Sequence, residues 1–359
     1  MNSDNSLLDL QAVVICDCGR ICPVRTRRKA AVFIPEKGRA VQDSGTERTM
    51  KQWDVYVFGD VNIDLVIPGV ERFPAPGQED VVETMETFVG GGAALFALGL
   101  GKLGLHPVFQ GCIGKDFYGE FIKKEFQAKN IDCALLEQRE DRNTGISISF
   151  TNEKDRSFLT YRGGNDFSGL SRVRMEDVKK ARHFHVTGYE GQRNHEEYLQ
   201  FLKKLKEETS VTVSFDLGWD PQEEWSQKIY ELFPYIDVLF MNETEALHYS
   251  RKESVEEAAE EFGSRCGIAA VKMGKEGSLA VKEKKLYRAA AFPVVSVDTT
   301  GAGDSFNAGF IYGFLTGREV TDCLRYGNAC GALNVTALGG NTAFPNKAEL
   351  ERFLETRKG

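Results

Sequence analysis

Short apolar runs alternate with longer amphipathic stretches along most of this chain. Runs typical of buried strands occur at 55–59, 183–187, 211–216, 238–241 and 269–271. Apolar residues at helical spacing lie between them, at 117–129, 195–208 and 254–262. Strands that alternate with helices predict a mostly parallel sheet covered on both faces. The expected fold class is therefore α/β, with three layers.

Two segments, 65–88 and 144–162, interrupt this alternation. Their pattern is that of antiparallel strands and turns, and apolar and polar residues alternate cleanly over 146–150. Each strand should therefore have one buried face. Near the C-terminus, the run 292–297 predicts another short strand, and the apolar spacing over 305–315 predicts a helix directly after it.

Residues 1–50 differ from the rest of the chain. They combine an apolar run at 7–16 with a basic cluster at 25–29 and lack clear periodicity. An organellar transit peptide fits poorly, because Asp4, Asp9 and Asp17 lie within the segment. We expect either a disordered N-terminal extension or a spurious start upstream of Met50, and one domain over 51–359.

Composition narrows the function further. A net charge of −8 argues against nucleic-acid binding, which needs concentrated positive charge. No apolar run approaches the roughly 20 residues that span a bilayer, so we expect a cytoplasmic protein without a membrane partner. Five of the eight cysteines lie in apolar or structural contexts and should be reduced thiols. Cys16, Cys18 and Cys22 lack the spacing of a usual zinc site.

The stretch 298–309 carries the most specific chemistry. Gly301-Ala302-Gly303 falls on a predicted strand-to-helix turn, where small residues and free N–H groups attract phosphate. Asp304 lies in the first helical turn, so its carboxylate could meet a substrate beside that cradle. Taken alone, Asp304 could equally match the helix dipole, and the glycines could simply form a tight turn.

This stretch closely resembles the second signature of the ribokinase-like (PfkB) family of carbohydrate and nucleoside kinases. Residues 88–104, in which Gly90, Gly91 and Gly92 open a helix, look like the family's first signature. Further matches at 114–119, 242–245 and 271–277 follow in the family's order. The resemblance covers roughly residue 50 to the C-terminus, and it implies the ribokinase-like fold with a small β lid formed by 65–88 and 144–162.

The resemblance implies ATP-dependent phosphorylation of an alcohol group on a sugar, a sugar acid or a nucleoside. Asp304 would act as the base, and Gly301, Ala302 and Gly303 would form an anion hole. Because Asp304 needs only its ionised form, an ordinary carboxylate pKa suffices for this role. Magnesium would accompany ATP, and a monovalent cation such as potassium is possible. The lid could also form a homodimer, as in similar proteins.

On the substrate side, Asn62 and Asp64 follow the first strand, where open parallel sheets bind ligands. The resemblance implies that Asp64 binds substrate hydroxyls and that Asn62 helps shape the site, although a turn or helix cap is the alternative. Leu95 stands where the family often has asparagine, so either the substrate presents an apolar face there or Leu95 belongs to the core. Arg162 could pair with a carboxylate or phosphate of the substrate, or it could be an exposed strand-end arginine.

On the nucleotide side, the resemblance assigns roles to a further set of residues. Asn242 and Glu245 would organise the water shell of magnesium, and Asp298 and Thr300 would hold the monovalent cation. Lys272 stands where threonine is more familiar, which puts its role in doubt. The residues expected to bind ATP are Asn242, Lys272, Gly274, Gly277 and Asn328.

Two other functions remain to be weighed. A catalytically silent ribokinase-like protein would bind a sugar or a partner protein through the lid; intact Asp304 argues against it, and Leu95 leaves room for it. A nicotinamide-dependent dehydrogenase would need a glycine fingerprint after the first strand, and that position lacks one.

Overall fold

The computed structural model describes residues 51–70, 74–151, 156–220 and 222–357. Within these ranges the strands are β1 Trp53–Phe58, β2 Asn62–Pro68, β3 Glu86–Gly90, β4 Pro107–Gly114, β5 Leu136–Arg139, β6 Gly145–Thr151, β7 Arg156–Tyr161, β8 Ala181–Thr187, β9 Thr212–Asp216, β10 Val238–Asn242, β11 Ile268–Lys272, β12 Ser278–Lys282 and β13 Lys285–Ala289. The helices are α1 Gly92–Lys102, α2 Phe117–Ala128, α3 Met175–Val178, α4 His195–Glu208, α5 Glu243–Ser250, α6 Val255–Gly263, α7 Ala302–Leu315, α8 Val320–Asn334 and α9 Lys347–Glu355.

Nine strands form one large sheet in the order β13-β12-β11-β10-β9-β8-β1-β4-β5. In this spatial order, each strand from β11 to β5 is parallel to the next one. The strands β12 and β13 add an antiparallel edge beside β11. Since β1 lies between β4 and β8, successive strands are added on opposite sides of it. This is the topological switch point at which open α/β sheets bind ligands.

Two apolar clusters cover the two faces of this sheet. In β10, Val238 and Phe240 belong to one cluster, whereas Leu239 and Met241 belong to the other. The first cluster includes residues of α1, α2, α7, α8 and α9, and the second includes residues of α3, α4, α5 and α6. The alternation of buried residues therefore produces the predicted three layers.

The small β lid is a four-stranded sheet in the order β3-β2-β6-β7. Its strands lie in or next to the two segments that interrupt the helix–strand alternation. The prediction of antiparallel strands is right for the β2–β3 and β6–β7 pairs but wrong for the central pair, because β2 and β6 are parallel. The parallel pair arises because the β2–β3 unit and the β6–β7 unit, which are far apart in sequence, join through β2 and β6.

Polar side chains tie the ends of the lid strands to the main sheet. The Asp116 carboxylate caps α2 through the Gly119 N–H and also accepts from the backbone N–H of Thr144, just before β6. The Asn165 amide exchanges two hydrogen bonds with the backbone of Val61, at 3.1 and 3.0 Å. Both joints hold backbone groups directly, so they fix where the lid begins and ends.

Two local predictions are wrong. Residues 292–297 are irregular, because Val295 and Val297 are 85% and 61% exposed rather than buried in a sheet, and Pro293 lacks a backbone donor. The Val297 N–H instead donates to the carbonyl of Val335, after α8. Phe117 counts among the apolar residues of the predicted helix 117–129, but it lies in the first turn of α2 and is 80% exposed rather than buried.

The remaining expectations fall partly outside the described residues. The predictions for residues 1–50, including Cys16, Cys18 and Cys22, concern residues that the structure does not describe. The other five cysteines are free thiols, as expected. No helix within the described ranges has the length and apolar character needed to cross a membrane.

Two glycines of the β11–β12 connection provide a matched test of local packing. Both have a left-handed φ, but a Cβ on Gly277 would lie 2.2 Å from the Ala289 carbonyl oxygen, whereas a Cβ on Gly274 would meet nothing within 4 Å. We expect Gly274→Ala to cost about 1–2 kcal/mol of stability from backbone strain alone. Gly277→Ala should cost about 1–3 kcal/mol more because of the clash.

The measurement is the midpoint of urea unfolding for both variants and the wild type. Equal midpoints for the two variants would contradict the packing that the structure assigns to Gly277.

Candidate active site

Polar residues from five parallel strands converge at the carboxyl edge of the large sheet. Asp60 follows β1 and Thr187 ends β8, on either side of the topological switch point. Asp216, Asn242 and Lys272 end the next three strands in the sheet, β9, β10 and β11. The crevice outside these strand ends is therefore the candidate active site.

The N-terminus of α7 forms one wall of the candidate active site. Gly301 precedes the helix with φ +69°, and no side chain caps the first turn. A Cβ on Gly301 would lie 2.4 Å from the Gly340 carbonyl oxygen, so glycine is required there. Of the three predicted donors, Ala302 already gives its N–H to the Thr299 carbonyl at 3.3 Å. An uncapped helix N-terminus of this kind fits the phosphates of ATP.

The N-terminus of α1 approaches the same point. The two carboxylate oxygens of Asp60 accept hydrogen bonds from the N–H groups of Gly92 and Ala93 at 3.1 and 3.2 Å. A Cβ on Gly92 would lie only 3.1 Å from an oxygen of Asp304. The two helix N-termini therefore meet beside the Asp304 carboxylate, and α1 already has an acidic cap.

The surroundings of Asp304 favour its protonated form. Burial and the nearby carboxylates of Asp216 and Asp60 together outweigh the opposing effect of Lys272 and raise the pKa of Asp304 to about 8. The pKa of Asp304 therefore lies well above the ordinary carboxylate value, which would already suffice for a base. Sequence alone could not reveal this, because Asp60 and Asp216 reach Asp304 through the fold.

Lys272 is the cation of this cluster. Its side chain is 14% exposed, and its ammonium group donates to Asp216 at 2.8 Å and to the Asn307 carbonyl oxygen at 3.5 Å. Asn307, on α7, in turn donates through its amide nitrogen to the same oxygen of Asp216. The other Asp216 oxygen is buried and has no hydrogen-bond partner within the described part of the chain.

Asn242 and Glu245 form a capping box at the start of α5. Each side chain accepts a hydrogen bond from the other residue's backbone N–H at 2.8 Å, and the Asn242 amide also donates to the Glu245 carboxylate. Burial, with Asp216 nearby, raises the pKa of Glu245 to about 7. A cation near Glu245 would offset this unfavourable environment, as expected for a residue that faces the water shell of magnesium.

The predicted substrate residues Asn62 and Asp64 lie on the first lid strand. Asn62 is buried, and its amide donates to Asp64 at 2.7 Å. A Cβ on Gly90, opposite them on β3, would lie 2.1 Å from an Asp64 oxygen, and one on Gly91 would lie 2.8 Å from the Asp60 carbonyl oxygen. The two glycines thus leave room for the Asp64 carboxylate and for the β1–β2 connection.

Leu95 and Arg162 are both engaged within the protein. Leu95 is 4% exposed and packs behind the α7 cradle, where a methyl carbon would lie 2.9 Å from a Cβ on Gly301. Arg162 donates to Asp166 at 2.8 Å and to Glu190 at 3.2 Å. A substrate carboxylate would therefore have to compete with two carboxylates for this guanidinium group.

The other predicted nucleotide-side residues hold loops near α7 through hydrogen bonds. Asn328 donates to the backbone carbonyls of Ala289 and Ala290 at 3.0 and 3.1 Å, so it holds the loop that follows β13. Asp298 accepts from the Thr300 hydroxyl at 2.7 Å and from the Gly339 N–H at 2.9 Å. These bonds join the cradle to the 339–340 loop behind it.

Magnesium would be held mainly by phosphate and water. Among the described residues, no group of three or more His, Cys, Asp or Glu side chains is arranged to bind a metal ion directly. Magnesium commonly keeps several waters and uses substrate phosphates as ligands. The buried Glu245 carboxylate fits that mode of binding, and ATP fits the cradle at α7.

A model of the pfkB family carbohydrate kinases matches residues 52–347. The chain belongs to this family. It is 29% identical to the ATP-dependent ribose-1-phosphate kinase of Halopiger xanaduensis over 301 residues, which cover 83% of this chain and 97% of the relative. It is 26% identical to the 5-dehydro-2-deoxygluconokinase of Bacillus subtilis over 324 residues, or 86% of this chain and 97% of the relative.

The solved structures agree with the family assignment. The ribokinase of Thermotoga maritima superposes with a TM-score of 0.71 at 25% identity, covering 84% of this chain and 99% of that protein. The protein is therefore a ribokinase-like carbohydrate kinase of an ATP-dependent family. Its three relatives are named for different acceptors, so their names leave the acceptor of this kinase open.

Several residues of the site and of its joint with the lid received no role in the sequence analysis, namely Asp60, Thr187, Asp216, Asn307 and Asn165. Asp216 and Asp60 each end or follow a predicted strand, and that position was a usable signal. Asn307 and Asn165 carry no such signal, because their contacts depend on elements distant in sequence.

The pH at which kcat/KM falls on the acid side (the acid limb) should show that the carboxylates around Asp304 raise its pKa. If Asp304 is the base, it must be ionised to accept a proton, and kcat/KM should then fall about tenfold per pH unit below an apparent pKa near 8, far above the usual carboxylate range. Asp60→Asn removes one neighbouring negative charge, which lowers the pKa of Asp304 and moves this limb to lower pH.

The measurement is kcat/KM against pH for the wild type and Asp60→Asn, with Glu207→Gln on the exposed face of α4 as the charge-matched control. A wild-type limb near pH 4, or a limb that Asp60→Asn leaves in place, would contradict the electrostatic description.

Proposed function

We propose that this kinase transfers the γ-phosphoryl group of ATP to an alcohol group of a sugar, a sugar acid or a nucleoside. The observation that carries the proposal is the position of Asp304, in the first turn of α7 beside an uncapped helix N-terminus. A carboxylate and an anion cradle that share one helix turn can act on the two partners of a single phosphoryl transfer.

Asp304 accepts the proton of the attacking hydroxyl in this mechanism. The acceptor oxygen forms a bond to the γ-phosphorus, and the bond from that phosphorus to the bridging oxygen breaks, with its electron pair leaving on ADP. The N–H groups at the start of α7 hold the transferring group, while Asn62 and Asp64 orient the acceptor. Magnesium, when bound, neutralises charge on the phosphates.

The charges around the acceptor side favour a neutral alcohol. Asp60 lies just before the first lid strand, and Arg162 is already paired with Asp166 and Glu190. An acceptor with its own carboxylate or phosphate would approach the Asp60 carboxylate and would have to displace Asp166 and Glu190 from Arg162. We therefore place neutral sugars and nucleosides ahead of sugar acids and sugar phosphates.

The monovalent cation and the homodimer stay predictions. Asp298 and Thr300 lie together behind the cradle, which is compatible with a potassium site. Phe158, Leu159 and Tyr161 on the outer lid strand β7 are 50%, 61% and 50% exposed. Such apolar exposure at a sheet edge supports association through the lid. A cytoplasmic location is likewise a prediction.

The test of the proposed function is ATP consumption against a panel of acceptors. The panel pairs neutral sugars with their acid and phosphate derivatives and adds nucleosides. We expect turnover with one acceptor class, preferably a neutral one, and a loss of about 10³-fold or more in Asp304→Asn, since the base then cannot accept a proton.

Asp304→Asn should also remain folded and bind ATP, because it replaces a carboxylate whose ionisation is disfavoured in the folded protein. ADP formation by Asp304→Asn at the wild-type rate would refute the assigned base. No acceptor-dependent turnover by the wild type, with ATP still bound, would instead support the catalytically silent binding protein.

A further inference from the structure

The side chain of Lys272 is fixed by contacts from two different elements. It leaves the end of β11 and donates to Asp216, at the end of β9, and to Asn307, in the second turn of α7. The side chains of Lys272 and Asp216 are 14% and 9% exposed, so the pair is largely shielded from solvent. A long, flexible lysine side chain is therefore held in one position.

That position lies against the anion cradle. A Cβ on Gly303, the second residue of α7, would lie 3.3 Å from the Lys272 ammonium nitrogen. Glycine at 303 thus lets the ammonium group reach the backbone whose N–H groups are proposed to hold phosphate. A larger side chain at that position would separate the charge from the cradle.

The carboxylates around the Lys272 ammonium group keep it charged, and this charge indicates a function. Lys272 is surrounded by Asp216, Glu245 and Asp304, and although burial lowers its pKa, these carboxylates raise the pKa above the ordinary lysine value. Lys272 therefore stays charged. Buried ion pairs contribute little net stability, because desolvation offsets their attraction, so stability alone does not account for a lysine at this place.

We propose that Lys272 stabilises the negative charge that develops on the phosphoryl group during transfer. This inference rests on the proposed function. Asp216 and Asn307 are positioning residues that hold the ammonium group beneath the cradle. This differs from simple ATP binding, because an interaction made mainly in the transition state raises kcat and leaves nucleotide affinity unchanged.

The test separates nucleotide binding from stabilisation of the transferring group. Affinities are measured by calorimetry for MgADP alone and for MgADP with aluminium fluoride, which mimics the phosphoryl group in transfer. We expect Lys272→Met to bind MgADP within about threefold of the wild type, to bind the aluminium fluoride complex about 10²-fold more weakly, and to lose about 10²–10³-fold in kcat.

Two further variants exclude a merely structural role. Lys272→Met leaves Asp216 buried without its cation, so the double variant Lys272→Met/Asp216→Asn restores neutrality and should fold. If Lys272 only neutralises Asp216, the double variant recovers kcat and tight aluminium fluoride binding, and the proposal fails. If Lys272 acts on the phosphoryl group, the double variant stays slow while Lys272→Arg recovers part of the rate.

The remaining outcomes are also distinguishable. Lys203→Met, on the exposed face of α4, serves as the matched control for loss of a lysine charge and should behave as the wild type. An equal loss of MgADP and aluminium fluoride affinity in Lys272→Met would reduce Lys272 to an ATP-binding residue and overturn the inference. A wild type that turns over no acceptor would overturn the proposed function itself, whatever the variants do.

Discussion

The candidate active site depends on one electrostatic constraint: the Asp304 carboxylate is buried among other carboxylates. Asp304 is buried at the carboxyl edge of the sheet beside Asp216 and Asp60, and burial together with these carboxylates raises its pKa to about 8. Lys272 and the N-terminus of α7 partly offset this negative charge.

The fold brings the proposed phosphate side and the proposed acceptor side together at one edge. The proposed phosphate side is formed by α7 and the ends of β9 to β11, whereas the proposed acceptor side is formed by β2, which follows β1 after a short connection. The Asn165 amide fixes that connection by binding the backbone of Val61. The lid therefore emerges from the middle of the main sheet, near Asp304, the proposed base.

The sequence predicts the fold class, the lid segments and the family from features that are local. Gly301-Ala302-Gly303-Asp304 specifies a turn with a left-handed glycine and a helix start within a few residues. The run 292–297 misleads because Val295 and Val297 resemble residues of a buried strand, yet both are exposed. The link from Lys272 to Asp216 and the raised pKa of Asp304 depend on residues 32 to 244 positions apart, and no local pattern records such contacts.

The most direct test of the assigned roles is a crystal structure with magnesium, a non-hydrolysable ATP analogue and the acceptor that supports turnover. The arrangement predicts that the reacting hydroxyl lies about 2.6–3.2 Å from an Asp304 oxygen. The γ-phosphate should contact the N–H groups at the start of α7. A hydroxyl that instead approaches another carboxylate, such as Asp64, with Asp304 facing away from it, would contradict the central claim.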